Sequence, residues 1–345
     1  MNIDCPLPSE VEETIHLGHG GGGEPSQRLL HEHIYPHFNN AWLERPHDSA
    51  ILPAQASALA FTTDSYVISP LFFPGGNIGE LSVYGTVNDL AMSGARPLYL
   101  TCSLILEEGL PLTTLDRIVA SMAQAALAAG VQIVTGDTKV VERGKGDGLY
   151  INTAGVGALV SQQRIAPESV SSGDVILLSG DVGRHGMAVM AKREGLEFDS
   201  ALESDCAPLH EPVLDLLANG ISVHCLRDLT RGGLATALLE IARAGGLQMH
   251  IQEQAIPISD PVRGACELLG IDPLYVANEG RFVALVPEAQ AADALAVLQS
   301  SAVSAGARVI GHVRAGGASG LILQNALGCE RILGFLPGEQ LPRIC

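Results

Sequence analysis

Short apolar runs that break off at glycine or aspartate alternate with amphipathic stretches of helical length through this chain. Leu59 to Ser65 carries Asp64, and Val131 to Thr135 runs straight into Gly136-Asp137-Thr138-Lys139. Asp174 to Ser179 leads into Gly180-Asp181-Val182-Gly183-Arg184-His185-Gly186, and Val223 to Arg227 into Asp228-Leu229-Thr230-Arg231-Gly232-Gly233-Leu234. Between them, Gly79 to Ser93, Thr113 to Ala129, His210 to Leu217 and Glu288 to Ser300 read as helices. Strand and helix in alternation predict an α/β layered architecture. The 345 residues are long for one core and suit two domains. Composition changes near Pro167. The expected units are therefore a loose leader over 1–16, an N-terminal domain over 17–166, a C-terminal domain over 167–336 and a tail over 337–345.

Composition narrows the function classes. The formal net charge is −18 and no Lys/Arg cluster occurs, which argues against nucleic acid or an acidic membrane surface as partner. No run of 18 apolar residues is present, and the acidic start (Asp4, Glu10, Glu12, Glu13) does not read as a signal peptide. The seven cysteines are odd in number, scattered and without a CxxC pair. They read as reduced thiols of a cytoplasmic protein.

The tail, P-G-E-Q-L-P-R-I-C, ends on Cys345. Two prolines and a glycine make it a poor helix and a poor central strand. Extended, it spans roughly 30 Å at about 3.3 Å per residue. Neither prenylation nor metal binding suits its pattern, so it reads as a mobile thiol that visits a site. Candidate anion loops lie elsewhere. Gly20-Gly21-Gly22-Gly23 precedes a helix expected from Pro25 to about Glu44, and its backbone N–H groups suit a phosphate, or else it is a linker. Asp48, Asp64, Asp89 and Asp137 stand at element ends and are the residue type that Mg²⁺ takes. Asn88 and Asp89 interrupt an apolar helical stripe. Arg231, at a helix N-terminus, reads as an anion ligand or as the partner of Asp228. Asn278-Glu279-Gly280 is expected between two apolar strands.

These pieces resemble the HypE family of hydrogenase maturation factors, within the PurM-like superfamily related to aminoimidazole ribonucleotide synthetase. The resemblance rests on H-G-G-G-G, T-D-S-Y-V-I, P-L-F-F-P-G-G-N-I-G, G-T-V-N-D-L-A-M-S-G-A, V-T-G-D-T-K-V-V, D-L-T-R-G-G-L, A-N-E-G and the terminal P-R-I-C, spanning residues 19 to 345. It implies an α+β two-domain protein. The N-terminal domains of a homodimer would share a β-barrel, with ATP in the cleft and an α/β layered C-terminal domain. It implies that a HypF-type partner carbamoylates Cys345. ATP is then used to dehydrate the thiocarboxamide to a thiocyanate, and the nitrile passes to iron on a HypC–HypD complex. In that scheme Asp48, Asp64, Asp89 and Asp137 hold Mg²⁺ and phosphates, with Thr138 beside them. Gly20, Gly21, Gly22 and Gly23 cover the phosphates. Lys139, Arg231 and Asn88 orient phosphate or carbamoyl group, and Glu279 is the base.

Three other classes compete with this reading. A synthetase or kinase of the same superfamily acting on a free small molecule would have no use for a terminal cysteine. A non-enzymatic thiol carrier would have no use for the carboxylates. A docking tail would plug Ile344-Cys345 into a partner.

Overall fold

The computed structural model describes residues 14–20, 24–38, 40, 58–196, 202–336, 341 and 343–345. Asp48, the glycines at 21, 22 and 23, most of the leader and the tail residues 337–340 and 342 lie outside that set.

The first domain begins with two short helices, α1 (Glu24–Leu29) and α2 (Tyr35–Phe38), joined by a π turn over Leu30–Ile34. The helix expected to reach Glu44 is described only to Phe38. Strand β1 (Leu59–Tyr66) leads through a small hairpin, β2 (Phe72–Phe73) and β3 (Gly76–Asn77), into α3 (Ile78–Met92). Then come β4 (Ala95–Glu107), α4 (Leu112–Ala128), β5 (Gln132–Val141) and β6 (Leu149–Leu159). The strands form one sheet in the order β1-β6-β4-β5, antiparallel except where β4 and β5 run parallel.

Helix α3 starts where it does because the Asn77 side chain accepts from Gly79 N at 2.8 Å and Glu80 N at 3.4 Å, which satisfies two donors that have no helical partner. It is buried on nearly every side. It lies on the inner face of the sheet, and Gly155 of β6 lets it come close. A Cβ there would fall 2.8 Å from Thr86 and 2.9 Å from Leu90. The other sheet face is open and carries Phe61 and Leu59, 72% and 59% exposed. Among the described residues the sheet is open, with β1 and β5 at its edges, and forms no closed barrel.

The second domain contains β7 (Asp174–Leu178), α5 (Arg184–Glu194), α6 (His210–Ala218), β8 (Cys225–Asp228), α7 (Gly233–Gly245) and β9 (Gln248–Gln252). It continues with α8 (Asp260–Leu269), β10 (Phe282–Pro287), α9 (Ala291–Ser300), β11 (Arg308–Arg314), β12 (Gly320–Gln324) and β13 (Glu330–Leu333). Its seven strands run in the order β13-β12-β9-β11-β7-β10-β8. Alternate residues of the central strands enter two cores. Ile176, Leu178, Val283 and Leu285 pack with α7, whereas Leu177, Ala284 and Val286 pack with α6 and α9. A strand covered on both faces reads as a continuous apolar run, as Phe282–Val286 does.

Two expectations fail in detail. Leu274 to Ala277 is not a strand: Pro273–Tyr275 is a 3-10 turn started by the Asp272 side chain, which accepts from Leu274 N. Gly136-Asp137-Thr138-Lys139 does not follow β5 but lies inside it. The polar run marks an edge strand with one solvated face, not a strand end. Replacing Gly155 by Val should cost about 2 kcal/mol of stability, because the helix is already seated on the sheet there. Denaturant midpoints would show it, with Gly320→Ala, whose added Cβ meets nothing, as the neutral control.

Candidate functional site

The described end of the tail is docked. Val67 N donates to the Cys345 carbonyl at 3.2 Å and Ser69 N to that of Arg343 at 3.4 Å, so the chain end runs alongside the residues that follow β1. The Arg343 guanidinium donates to Val67 O at 3.1 Å and pairs with Asp147 at 2.6 Å. Arg193 donates to Ser69 O at 2.6 Å and to Arg343 O at 2.7 Å. Arg343 has φ +56°, a left-handed conformation unfavourable for a residue with a Cβ. These contacts hold it there. Ile344 is buried, and its carbonyl accepts from His185 Nε2 at 2.9 Å.

The Cys345 thiol therefore sits at the seam between the domains. Arg231 Nε donates to its sulfur at 3.3 Å. It opens onto a cavity of about 640 Å³ lined in part by Val67, Gly232, Thr236 and Tyr275. Burial, then the nearby Glu279, pushes the thiol pKa up to about 11, against the opposing pull of Arg231. The docked sulfur is therefore a protonated thiol and a poor nucleophile.

Arg231 owes its place to the turn at the head of α7. Gly232 and Gly233 both have positive φ, and a Cβ on Gly233 would fall 2.5 Å from Val276 O. No ion pair joins Arg231 to Asp228 among the described residues; the sulfur takes its side chain instead.

Glu279 stands on the loop before β10. It is buried, and its Oε1 has no hydrogen-bond partner among the described residues. Burial first, then Asp228, Asp205, Asp64 and Asp89, holds its pKa well above the usual carboxylate range. Asp228 is pushed to about 7, by burial and then by Asp89. Asp89 is raised by burial and by Asp64, against a 2.8 Å hydrogen bond from Thr62. Mutually raised carboxyls mark a site short of positive charge, which a cation would relieve.

The sequence-predicted residues divide by sheet face. Thr62 and Thr153 bond to α3 residues, and Asp64 pairs with Thr153 in register, so Asp64 belongs to the inner face. Asp137 pairs in register with Ser103, and Ser103 with Asn152, whose partner on β1 is Ser65; these belong to the open face. Asp137 and Lys139 are exposed there and bond to each other at 3.0 Å, and Thr138 N donates to Asp137. The four aspartates thus do not converge as expected. Asp64 and Asp89 share a site with Arg231, Glu279 and Cys345, Asp137 faces the other way, and Asp48 is not described. No group of three or more His, Cys, Asp or Glu among the described residues could hold a metal by itself. Gly20 closes a 3-10 turn over Leu17–Gly20. Asn88 does not face a ligand. Its carboxamide donates to Ala207 O and Glu279 O, at 3.1 and 3.4 Å, and accepts from Leu209 N at 2.7 Å.

Sequence reasoning passed over His185, Ser204, Asp205 and Asp228 as site residues. His185 and Asp228 stand within glycine-containing loops that drew notice, which is a signal. Ser204 and Asp205 carry none.

The "AIR synthase related protein, N-terminal domain" family profile matches residues 46–159, and the corresponding C-terminal domain profile matches 171–324. The chain is 51% identical over 332 residues to the carbamoyl dehydratase HypE of Cupriavidus necator, covering 96% of this chain and 95% of that protein. The crystal structure of a hydrogenase maturation protein HypE in complex with ATP superposes with TM-score 0.92 at 46% identity, covering 95% and 99% of the two chains. A HypE–HypF complex contains a chain matching with TM-score 0.78 at 43% identity, over 89% and 99%.

The Asp228 carboxyl, ordinary when unfolded and near 7 when folded, keeps a proton that the unfolded chain releases. Its favourable share of stability is full below about pH 4 and is lost as pH rises through about 7. Asp228→Asn should therefore raise the melting temperature of nucleotide-free protein by several degrees at pH 8 and change it little at pH 4. Equal shifts at both pH values would refute the assignment.

Proposed function

Because this chain belongs to the HypE family of carbamoyl dehydratases, we propose that it uses ATP to dehydrate a carbamoyl group on its own Cys345 to a thiocyanate. The observation that carries this is the docked terminus, which brings the sulfur against Arg231 and near enough to the buried Glu279, whose Oε1 has no partner among the described residues, to feel its charge. A substrate on the tail needs no separate binding step, so its local concentration at the site is high.

Bound ATP supplies a phosphoryl group that turns the carbamoyl oxygen, a poor leaving group, into phosphate. In the whole reaction the carbon–oxygen bond breaks, a carbon–nitrogen triple bond forms and two protons leave nitrogen. Arg231 is placed to hold the sulfur end and to balance charge developing on oxygen. Burial and the surrounding carboxylates raise the proton affinity of Glu279. Its carboxylate is placed to take one proton from nitrogen as the oxygen is phosphorylated, and the second nitrogen proton leaves on the phosphate when the carbon–oxygen bond breaks. The N-terminal end of α7 is suited to a phosphate, and the glycines from Gly20 to Gly23 would add backbone N–H groups. Mg²⁺ commonly takes one or two carboxylates and completes its shell with phosphate oxygens and water. Asp64 and Asp89, whose proximity raises the Asp89 pKa, suit that role, with Asp48 as a further ligand.

Asp137 and Lys139 fit this scheme through a second copy of the chain, with Thr138 between them in register with the buried Leu104. Their sheet face carries Leu59, Phe61 and Ile105 to solvent. Pairing two such faces in a homodimer would bury that apolar surface, close a shared barrel and bring Lys139 and Asp137 to the neighbouring copy. A protonated, docked thiol is also in the wrong state to accept a carbamoyl group. The tail therefore undocks to meet a HypF-type carbamoyltransferase and again to hand the nitrile to iron on a HypC–HypD complex. The six described cysteines are all free, which suits the reducing cytoplasm.

Intact mass tests the reading. A protein carbamoylated on Cys345 should lose the mass of one water when Mg·ATP is added. Cys345→Ala should abolish the loss while ATP binding and melting temperature stay unchanged. Protein-bound thiocyanate formed by Cys345→Ala would overturn the assignment.

A further inference from the structure

The contacts around the terminal cysteine lead back to a buried assembly, outside the ATP and carboxylate machinery, that no sequence motif announced. His185 is wholly buried at the start of α5. Its Nε2 meets the Ile344 carbonyl at 2.9 Å, and its Nδ1 meets Ser204 Oγ at 2.8 Å. A carbonyl only accepts, so Nε2 carries the hydrogen. Nδ1 then presents its lone pair to the Ser204 hydroxyl, which donates to it and itself accepts from Cys206 N at 3.0 Å. Burial draws the imidazole pKa down and keeps the ring neutral. The edge of Phe73, with ring centroids 5.3 Å apart, closes one side.

The backbone of the same histidine is tied to the catalytic loop. His185 N donates to Asp205 Oδ1 at 3.1 Å, and Gly280 N donates to Asp205 Oδ2 at 3.0 Å. One carboxylate therefore joins the residue that grips the tail to the residue that follows Glu279. Gly280 is obligatory in this bridge, because a Cβ there would fall 1.8 Å from Asp205 O. The histidine and the glutamate loop are thus set at a fixed separation. Val67, Ser69 and Arg193 hold the main chain on either side of Ile344, and the imidazole hydrogen bond to the Ile344 carbonyl is the contact that ties it to that spacing.

We infer that His185, fixed by Ser204 and Asp205, is the positioning residue that sets the Cys345 sulfur opposite Glu279 by gripping the Ile344 carbonyl. The inference rests on the proposed dehydration for its consequence, but not for its geometry. It touches main chain and never the carbamoyl group, so it acts on where the substrate sits and not on the bonds that change. A residue that only stabilised the core would leave the tail's seating unaltered when a fold-compatible side chain replaced it.

The test uses full-length protein and two readouts. The first is the rate at which a maleimide alkylates Cys345 in the presence of ATP, resolved from other cysteines by peptide mass. The second is the single-turnover loss of water from pre-carbamoylated protein. His185→Leu keeps the bulk and removes the donor. It should speed alkylation and slow dehydration, each by roughly tenfold, the worth of one buried hydrogen bond, with ATP affinity unchanged. His185→Gln, whose amide N–H donates to the same carbonyl, should recover part of both. Ser204→Ala, which removes the donor that fixes the tautomer together with the acceptor of Cys206 N, should shift both in the same direction by less, and serves if His185→Leu does not fold. Wild-type rates of alkylation in His185→Leu, or in Ser204→Ala if that variant stands in, would overturn the inference. So would slowed dehydration with unaltered alkylation. Failure of the wild type to lose water would instead strike the dehydratase reading, and the alkylation result would still decide the grip.

Discussion

The site depends on how one buried carboxamide joins the two domains. Asn88 leaves the N-terminal domain on α3 and makes three hydrogen bonds to the C-terminal domain, at Ala207, Leu209 and Glu279. Each contributes only about 1 kcal/mol net, but leaving their buried partners unpaired costs more. What they contribute is registration. Asp64, Asp89 and the residues after β1 come from one domain, and Asp228, Arg231 and Glu279 from the other. A tilt between the domains would separate the two sets. The side chain that reads in sequence as a ligand group is the joint that lets the ligand groups meet.

Around that joint the structure tolerates an unfavourable concentration of acid. Burial and the charges of neighbouring carboxylates, Asp64 and Asp205 among them, raise the proton affinity of Asp89, Asp228 and Glu279. An ordinary core would not keep such a group. Asp205 is stabilised by two backbone donors and Asp89 by Thr62, whereas Glu279 Oε1 has no partner among the described residues. The difference separates carboxyls that build the site from one left available for chemistry.

Much of this was legible in the chain and part was not. Helix α4 and strand β6 follow from periodicity, because each buries one regular set of side chains, whereas α3 is buried on nearly every side and follows from its length and apolar content. Strand β5 did not read correctly beyond Thr135. An edge strand with a solvated face carries polar residues at alternate positions, and Asp137 and Lys139 then mimic a strand end. The division of Asp64 and Asp137 between opposite faces required strand register, which no local pattern encodes. Cys345 and Arg231 were visible as chemistry, but their contact spans 114 residues of sequence. Ser204 and Asp205 were silent, and His185 was visible only as part of a glycine loop, since a hydrogen bond to another segment's main chain leaves no mark on spacing.

The docked terminus is recognised mainly through its backbone. Val67, Ser69, His185 and Arg193 all bind carbonyls of the final three residues, and only the buried Ile344, the guanidinium of Arg343 and the sulfur are read as side chains. The protein is in effect a peptide receptor whose ligand is its own end. A tethered ligand meets its groove at an effective concentration on the order of millimolar, so the groove needs only weak intrinsic affinity to stay filled. A weak intrinsic affinity would permit rapid release, so such an end could leave its groove without disturbing the cores. Swapping in a free peptide of the same sequence would be difficult for the same reason, since it would have to outcompete a rival that never diffuses away.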